Sequence, residues 1–348
     1  MLVPPLAWVV YLAYRLIGGP VATGVLAVAM LAAVLAAVHH AEVIAHRVGE
    51  PFGTFLFAVA VTVIEVGLIV SIMMSGGLGS NALPRDTVLA AIMIILNGVV
   101  GLCLLVGALK HGEQRYVQTG VSAALATLAA LSVLVLILPN HVQSMPGPYY
   151  SPAQLAFIGV VSLVLYATFV LIQTIRHRSY FLPTEISPSV DIDHIPRRTT
   201  AIVSAGLLVI CLGAVVWLAK TLGPSVESMV VALGAPKALV GVIIAGVVLL
   251  PEGLAALRAA RMNRLQTSLN LALGSALATI GLTIPVVAAL ALWFGWDLPF
   301  GVDPRNTVLL LLTLLVATLS LSTGRTTVMQ GALHLLLFAV FLFMLVVP

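Results

Sequence analysis

The chain has 348 residues, of which 61% are hydrophobic and only 8% are charged, and its formal net charge is +4. Soluble domains carry about 25% charged residues, so this composition excludes a soluble globular protein and indicates an integral membrane protein. The basic excess does not indicate nucleic-acid binding, because the 16 Lys and Arg residues are scattered over many loops.

Apolar runs near 20 residues long recur along the chain, each long enough to cross about 30 Å of hydrocarbon as a helix. They predict an all-α polytopic membrane protein with about eleven transmembrane helices. The predicted spans are 4–19, 21–38, 54–75, 87–109, 117–138, 152–175, 200–219, 238–257, 266–293, 306–322 and 329–347. The first run lacks the pattern of a signal peptide, so we expect it to belong to the mature protein.

One long polar insert, HRSYFLPTEISPSVDIDHIPRR at 177–198, divides the chain into two halves. Residues 1–20 are predicted to form a leading helix, and 21–176 and 199–348 to contain five spans each. Because five is odd, the second group must run through the membrane in the opposite direction. Two inverted five-helix repeats are typical of secondary transporters.

The distribution of Lys and Arg predicts the orientation, because positive residues concentrate in cytoplasmic loops. Of the 16, eleven lie on the side of the N-terminus and five on the other side. We therefore expect a protein of the bacterial inner membrane, with the N-terminus and the 177–198 loop in the cytoplasm and the C-terminus outside.

Two carboxylates lie deep within apolar runs. Glu65 interrupts AVAVTVIEVGLIVSIM in the third span, and Glu252 interrupts GVIIAGVVLLPEGLAAL in the eighth. An acidic side chain at the bilayer centre costs about 2.5–3.5 kcal/mol on insertion scales. Each is the only deep carboxylate of its five-span group, which favours ion and proton binding over two separate structural hydrogen bonds. Both are therefore candidate metal ligands.

The chemistry of such a pair predicts exchange. Two carboxylates facing one cavity can be neutralised by one divalent cation or by two protons. If the protein rearranges only when the site is neutral, it exchanges one for the other. Ca²⁺ takes 6–8 oxygen ligands, so further oxygens are needed. Pro251 and Gly253, on either side of Glu252, predict a helix break that would expose backbone carbonyls.

Four uncharged polar side chains are predicted at similar depth: Thr62, Asn97, Ser275 and Thr279. A Thr or Ser hydroxyl at such a position either serves as an ion ligand or bonds back to a carbonyl of its own helix, and the sequence leaves both open. Asn97 is the stronger candidate ligand, because a primary amide is less easily satisfied in lipid.

The segment HHAEVIAHRVGEP, residues 39–51, places three histidines and two glutamates at the end of the second span. It lacks the HExxH spacing of a zinc protease. We interpret it as an interfacial helix. The alternative is pH sensing, with His46 and Glu50 as the candidate regulatory residues.

Seven strings carry a family resemblance: HHAEVIAHRVGEPFGT, VIEVGLI, RDTV, GLCLLVGALKHG, LPEGLAALRAARMN, LNLALGSALATIGLTIPVV and LSTGRTTV. In order and spacing they resemble the bacterial ChaA-type calcium/proton antiporters, in the CAX branch of the cation/Ca²⁺ exchanger superfamily. The resemblance covers nearly the whole chain.

This resemblance implies a leading helix followed by two inverted five-helix repeats. Each repeat would carry one glutamate that takes either a cation or a proton, and these glutamates match Glu65 and Glu252. The wider branch has a GNxxE motif at both places. Here its Gly-Asn pair is replaced by Val61 and Thr62 in the first repeat, and by Val248 and Leu249 in the second.

The resulting hypothesis is a secondary cation/proton antiporter that exports Ca²⁺ by alternating access and needs no cofactor. The alternative is Na⁺ or K⁺ export on the same scaffold, because two carboxylates do not fix the valence of the ion. An intramembrane enzyme would need a motif such as HExxH, which the sequence lacks, and a channel would conduct without proton coupling. Expected partners are inorganic cations, protons and the lipid bilayer, with no nucleic acid; the sequence does not indicate an oligomeric state.

Overall fold

The computed structural model describes residues 3–17, 19–49, 52–74, 80–182, 196–232, 234, 236 and 238–347. Over these ranges the chain is all-helical. Its helices are α1 Val3–Ile17, α2 Pro20–Val48, α3 Phe52–Met73, α4 Leu83–His111, α5 Gln118–His141, α6 Pro152–Arg176, α7 Arg198–Ala232, α8 Ala238–Arg261, α9 Leu265–Phe294, α10 Pro304–Leu321 and α11 Val328–Val346. Of the described helices, ten are long and apolar enough to cross a membrane, and α1 is shorter at 15 residues. The predicted all-α polytopic fold is confirmed.

Several helices begin at capping signals that are visible in the sequence. Before α6, the Ser151 hydroxyl accepts the backbone N–H of Gln154 while the Gln154 side chain accepts the N–H of Ser151. Thr327 and Gln330 form the same reciprocal pair before α11. Asp303 caps α10 with its carboxylate. These caps pair backbone N–H groups that the first helical turn leaves without partners.

Two helices extend beyond the spans predicted from hydropathy. Residues 39–48 continue α2 instead of forming a separate interfacial helix, because they contain no Gly or Pro to stop it. The helix ends at Gly49, whose φ of 77° suits a residue without a side chain. Helix α7 continues past the predicted end at residue 219 and runs through Pro224 to Ala232.

The predicted helix break beside Glu252 is not observed. Helix α8 runs through Pro251 and Gly253 without interruption. A proline removes only one N–H donor, and the intact turns on both sides hold the helix together. Among the described residues, irregular backbone occurs instead as single π-helical segments in four other helices, a feature that is frequent at functional sites. These segments are Ile94–Val99, Val133–Ile137, Ile172–Arg176 and Thr279–Thr283.

The chain forms two compact units, and each draws on both halves of the sequence. The first unit comprises Met1–Ser80 and Pro188–Val248, and the second comprises Asn81–Ser187 and Leu249–Pro348. This partition differs from the leading helix, two repeats and connecting loop inferred above, and that division stays a prediction.

In the first unit, α7 holds both α1 and α3. The Ser71 hydroxyl on α3 donates to the Val216 carbonyl at 2.9 Å. Gly67 allows this approach, since a Cβ there would lie 3.0 Å from a Val216 methyl group. The Trp8 indole on α1 donates to the Ile210 carbonyl at 3.1 Å. The short helix α1 is therefore held against α7 by the Trp8 hydrogen bond.

In the second unit, glycines bring helices into close contact. A Cβ at Gly331 on α11 would lie 2.4 Å from a backbone nitrogen of α4, and one at Gly101 on α4 would lie 2.8 Å from the Cβ of His334. Gly281 packs α9 against Tyr166 of α6 in the same way, at 2.6 Å. Small residues at helix contacts gain van der Waals attraction, which largely drives helix association in lipid.

We expect Gly331→Ala to lower the thermal unfolding midpoint in detergent, because forcing an extra methyl group into a packed contact costs about 1–3 kcal/mol. Gly206→Ala on α7 is the control, since nothing lies within 4 Å of the added Cβ. Alanine is the better helix former by about 1 kcal/mol, so this control should not melt earlier than the wild type. Equal midpoints for the two variants would contradict the proposed packing.

Candidate functional site

Glu252 is buried in the interior of α8. The residue is 8% exposed, and its Oε2 atom has no hydrogen-bond partner among the described residues. Buried carboxylate oxygens are normally paired, because an unpaired one loses its hydration without compensation. This side chain therefore has the capacity to bind a proton or a cation.

Glu65 lies in the interior of α3 and is 2% exposed, so it is shielded as strongly as Glu252. Thr62, one turn earlier, donates its hydroxyl to the Ala58 carbonyl at 2.9 Å. Of the two alternatives left open by the sequence, this is the bond back to its own helix.

Asn97 is fully buried in the π-helical segment Ile94–Val99 of α4. Its amide nitrogen donates to the Thr313 hydroxyl on α10 at 2.8 Å and faces the Met93 sulfur at 3.9 Å. Its amide oxygen lies 3.2 Å from Nδ1 of His334 on α11. In this conformation the amide nitrogen of Asn97 is thus bonded to α10, and its amide oxygen is bonded to α11.

This network continues through residues that the sequence reasoning missed. His334 Nε2 lies 2.8 Å from the Ser320 hydroxyl, and the Gln330 amide donates to the Ser320 carbonyl at 2.6 Å. His334 and Thr313 are each a lone polar residue in an apolar run, in GALHLLLF and LLLLTLLV. That pattern is the signal that could have indicated them, because a lone polar side chain in lipid needs a partner.

Ser275 and Thr279 lie close together along α9. Ser275 is half-buried, whereas Thr279 is 3% exposed. Thr279 is the first residue of the π-helical segment Thr279–Thr283. The irregular backbone is therefore beside Thr279 rather than beside Glu252.

The histidine-rich end of α2 makes contacts within its own helix and with α7. His46 Nε2 lies 3.8 Å from the Glu42 carboxylate, one turn earlier, and both side chains are about half exposed. His40 Nδ1 lies 3.3 Å from the Ser204 hydroxyl on α7. Glu50, the other candidate regulatory residue, lies outside the described residues.

A hydrogen-bonded cluster at one end of the second unit fixes the end of α8. His111 and Lys110 at the end of α4 contact the Arg261 carbonyl at 2.9 and 3.1 Å. The Gln114 amide donates to the Ala260 carbonyl at 3.2 Å and to the Asn263 side chain at 2.8 Å. These donors pair carbonyls of the last helical turn, and the Ala260 carbonyl also accepts the backbone N–H of Asn263 at 3.2 Å. The helix that carries Glu252 is thus tied to α4.

The opposite end of the same unit contains an open cavity of about 980 Å³. Asp303 is the only carboxylate among its lining residues. Its two oxygens accept the backbone N–H and the side-chain amide of Asn306 at 2.8 and 2.7 Å. This carboxylate is occupied in capping α10, so the cavity lacks the paired buried carboxylates that the sequence predicts for the exchange site.

The protein family of this chain follows from its similarity to known proteins. Residues 19–175 and 203–347 match the family described as sodium/calcium exchanger protein. The chain belongs to this family. It is a multi-pass membrane cation exchanger and not an enzyme, as the sequence predicted.

Two similar proteins align with most of the chain. The candidate ionic transporter y4hA of Sinorhizobium fredii (strain NBRC 101917 / NGR234) is 49% identical over 91% of this chain and 86% of its own. The sodium-potassium/proton antiporter ChaA of Escherichia coli (strain K12) is 35% identical over 90% of this chain and 86% of its own.

Solved structures show the same fold. Native YfkE superposes with a TM-score of 0.75 at 18% identity, covering 100% of this chain and 99% of its own. The H⁺/Ca²⁺ exchanger CAX superposes with a TM-score of 0.73 at 17% identity, covering 98% and 86%. At these identities the comparison defines the fold alone.

The Asn97 network should contribute to stability. Thr313→Val removes the acceptor of the buried Asn97 amide with little change in volume, and an unsatisfied buried group costs about 1–3 kcal/mol. We expect a lower thermal unfolding midpoint in detergent. Thr318→Val on the same helix is the matched control, because the Thr318 hydroxyl donates to the Leu314 carbonyl of its own helix. Equal unfolding midpoints for Thr313→Val and Thr318→Val would contradict a stabilising role for the Thr313–Asn97 hydrogen bond.

Proposed function

We propose that this member of the sodium/calcium exchanger family exports Ca²⁺ in exchange for protons, with Glu65 and Glu252 as the groups that bind either ion. The observation that carries this proposal is the unpaired Oε2 of buried Glu252. A buried carboxylate oxygen without a protein donor needs a proton or a cation to offset its lost hydration. A group that must hold one or the other is suited to exchange.

The joint action of the two glutamates rests on the sequence. Each is the only deep carboxylate in its five-span group, and together they contribute two negative charges when ionised. One Ca²⁺ or two protons would neutralise that charge, whereas the empty charged pair is unfavourable in a low dielectric. Ca²⁺ therefore competes with protons for the same groups, which couples the two fluxes.

Further oxygen ligands would have to come from nearby polar groups. We propose the backbone of the Thr279–Thr283 segment as one source, in place of the break expected at Pro251, because a π-helical turn alters the usual carbonyl pairing. Thr279 and Ser275 add hydroxyls from the same helix. Asn97 and Thr62 would serve as ligands only after leaving their present partners.

The proposed direction follows from the excess of basic residues on the side of the N-terminus. It places the N-terminus and the 177–198 loop in the cytoplasm and the C-terminus outside, within a bacterial inner membrane. An inward proton gradient would then drive cation export.

Glu65→Gln and Glu252→Gln should each abolish cation-dependent proton movement in proteoliposomes, because an uncharged amide cannot replace the carboxylate in either role. The expected loss exceeds about tenfold, since tenfold corresponds to only about 1.4 kcal/mol of binding energy. Glu113→Gln is the control. This exposed carboxylate pairs with Arg325 at 3.7 Å, so its loss should leave transport intact. Near-wild-type transport by a correctly inserted Glu252→Gln variant would remove Glu252 from the mechanism.

The second candidate is exchange of Na⁺ or K⁺ for protons, favoured by the 35% identical relative named as a sodium-potassium/proton antiporter. Proteoliposomes with an imposed pH gradient should be given Ca²⁺, Na⁺, K⁺ and Mg²⁺ in separate trials. We expect Ca²⁺ to move protons at the lowest concentration. Proton movement with Na⁺ or K⁺ alone would keep the antiporter and replace its cargo, and cation flux that persists without a pH change would indicate uncoupled conduction.

A further inference from the structure

A buried histidine on α11 contacts the core of the second unit from outside the glutamate-bearing helices. His334 is fully buried, and it is the only titratable residue of α11. Its two ring nitrogens face Asn97 of α4 and Ser320 of α10, at 3.2 and 2.8 Å. One side chain therefore links three helices.

The chemistry of its partners defines the state of the ring. An amide oxygen only accepts, so His334 Nδ1 carries the hydrogen and donates it to Asn97. The other nitrogen, Nε2, then accepts the hydrogen of the Ser320 hydroxyl at 2.8 Å, a shorter contact than the one between this hydroxyl and the Ala317 carbonyl at 3.3 Å. Both nitrogens are thus paired in the neutral imidazole, which is the form that suits a buried position.

His334 contacts a residue that belongs to an irregular stretch of backbone. Asn97 lies within the π-helical segment Ile94–Val99, and the Leu96 carbonyl of that segment also faces the His334 ring. Such a segment departs from regular helical pairing, and the hydrogen bond between His334 and Asn97 gives it support from outside the helix. Gly101 lets α11 approach closely enough to provide it, since a Cβ there would lie 2.8 Å from the His334 Cβ.

The last residue of this segment lies against the helix that carries Glu252. A Cβ on Gly253 would lie 3.3 Å from a Val99 methyl group. Gly253 directly follows Glu252, so a shift of the π-helical segment would change the packing beside the carboxylate. The contacts thus run from His334 through Asn97 and Val99 to the residue next to Glu252.

We propose that His334 is a positioning residue for cation exchange. As a neutral donor it fixes Asn97 and the Ile94–Val99 segment against α8, and so keeps Glu252 in its binding geometry. This role rests on the proposed function of Glu252. It differs from proton transport by His334, which would require the ring to gain and lose a proton in each cycle.

Few other titratable groups lie on the helices that pack against His334. Helix α4 has Cys103 in its buried part, with Arg85 and Asp86 at its start and Lys110 and His111 at its end. Helix α10 has only Arg305, in its first turn, beside its cap Asp303. Hydrogen bonding to uncharged groups therefore dominates the surroundings of the ring.

Three variants separate the two roles. In His334→Asn the side-chain amide nitrogen takes the place of Nδ1 and can still donate to Asn97. In His334→Gln the amide lies one carbon further out, towards Ser320, and the donor to Asn97 is lost. His334→Leu removes both bonds. None of the three can carry a proton at neutral pH.

Cation-dependent proton movement should be measured in proteoliposomes over a range of cation concentrations and pH. We expect His334→Asn to retain transport within about threefold, with the wild-type pH profile. His334→Gln and His334→Leu should lose about tenfold or more in kcat/KM, because small misplacements of binding groups reduce rates strongly. If the Leu variant does not insert, the Asn and Gln variants still give the comparison.

Equal loss in all three variants, with folded protein, would overturn the positioning role and favour a proton carrier. Wild-type activity in the Gln variant would also overturn it. The proposed function is tested separately by wild-type transport and by Glu252→Gln in the same vesicles. The His334 variants are compared with whichever cation the wild type exchanges. The positioning role of His334 can therefore fail while the proposed exchange by Glu252 holds.

Discussion

The cost of an unpaired polar group in hydrocarbon governs this structure. Few residues are charged and ten of the described helices could cross a membrane, so a buried polar side chain is stabilised by a partner within the protein. Asn97, Thr313, His334 and Ser320 satisfy one another in this way. Glu252 differs from them, since one of its oxygens has no donor among the described residues, and it is the only carboxylate oxygen among the unpaired buried side-chain atoms there.

The same constraint shapes the irregular backbone. Irregular backbone is tolerated at membrane depth where it is buried in protein, and the Ile94–Val99 segment is held there by the hydrogen bonds of the Asn97 side chain with α10 and α11. Glycines make these contacts close enough to form, as Gly101 and Gly331 do between α4 and α11. Close packing and hydrogen bonding therefore hold these helices together, because the hydrophobic effect does not drive helices to associate in lipid.

Much of the architecture could be predicted from hydropathy and local signals. The apolar runs predicted the helices, because a segment that crosses the bilayer must form all of its backbone hydrogen bonds internally. Capping pairs such as Ser151 with Gln154 are local and readable. Pro251 was misleading, because a proline weakens a helix by one hydrogen bond, and whether the helix breaks there depends on its neighbours. Residues 39–48 were misjudged for a related reason, since polarity alone does not end a helix.

The sequence by itself determined the membrane class, the helices and the two deep glutamates, because hydrophobicity and buried charge are properties of short segments. Only the tertiary structure decided that Thr62 bonds back to its own helix, that Asn97 faces α10 and α11, and that His334 joins this network. Thr313 lies more than 200 positions along the chain from Asn97. Such pairings depend on which helix faces come together, and no local pattern contains that information.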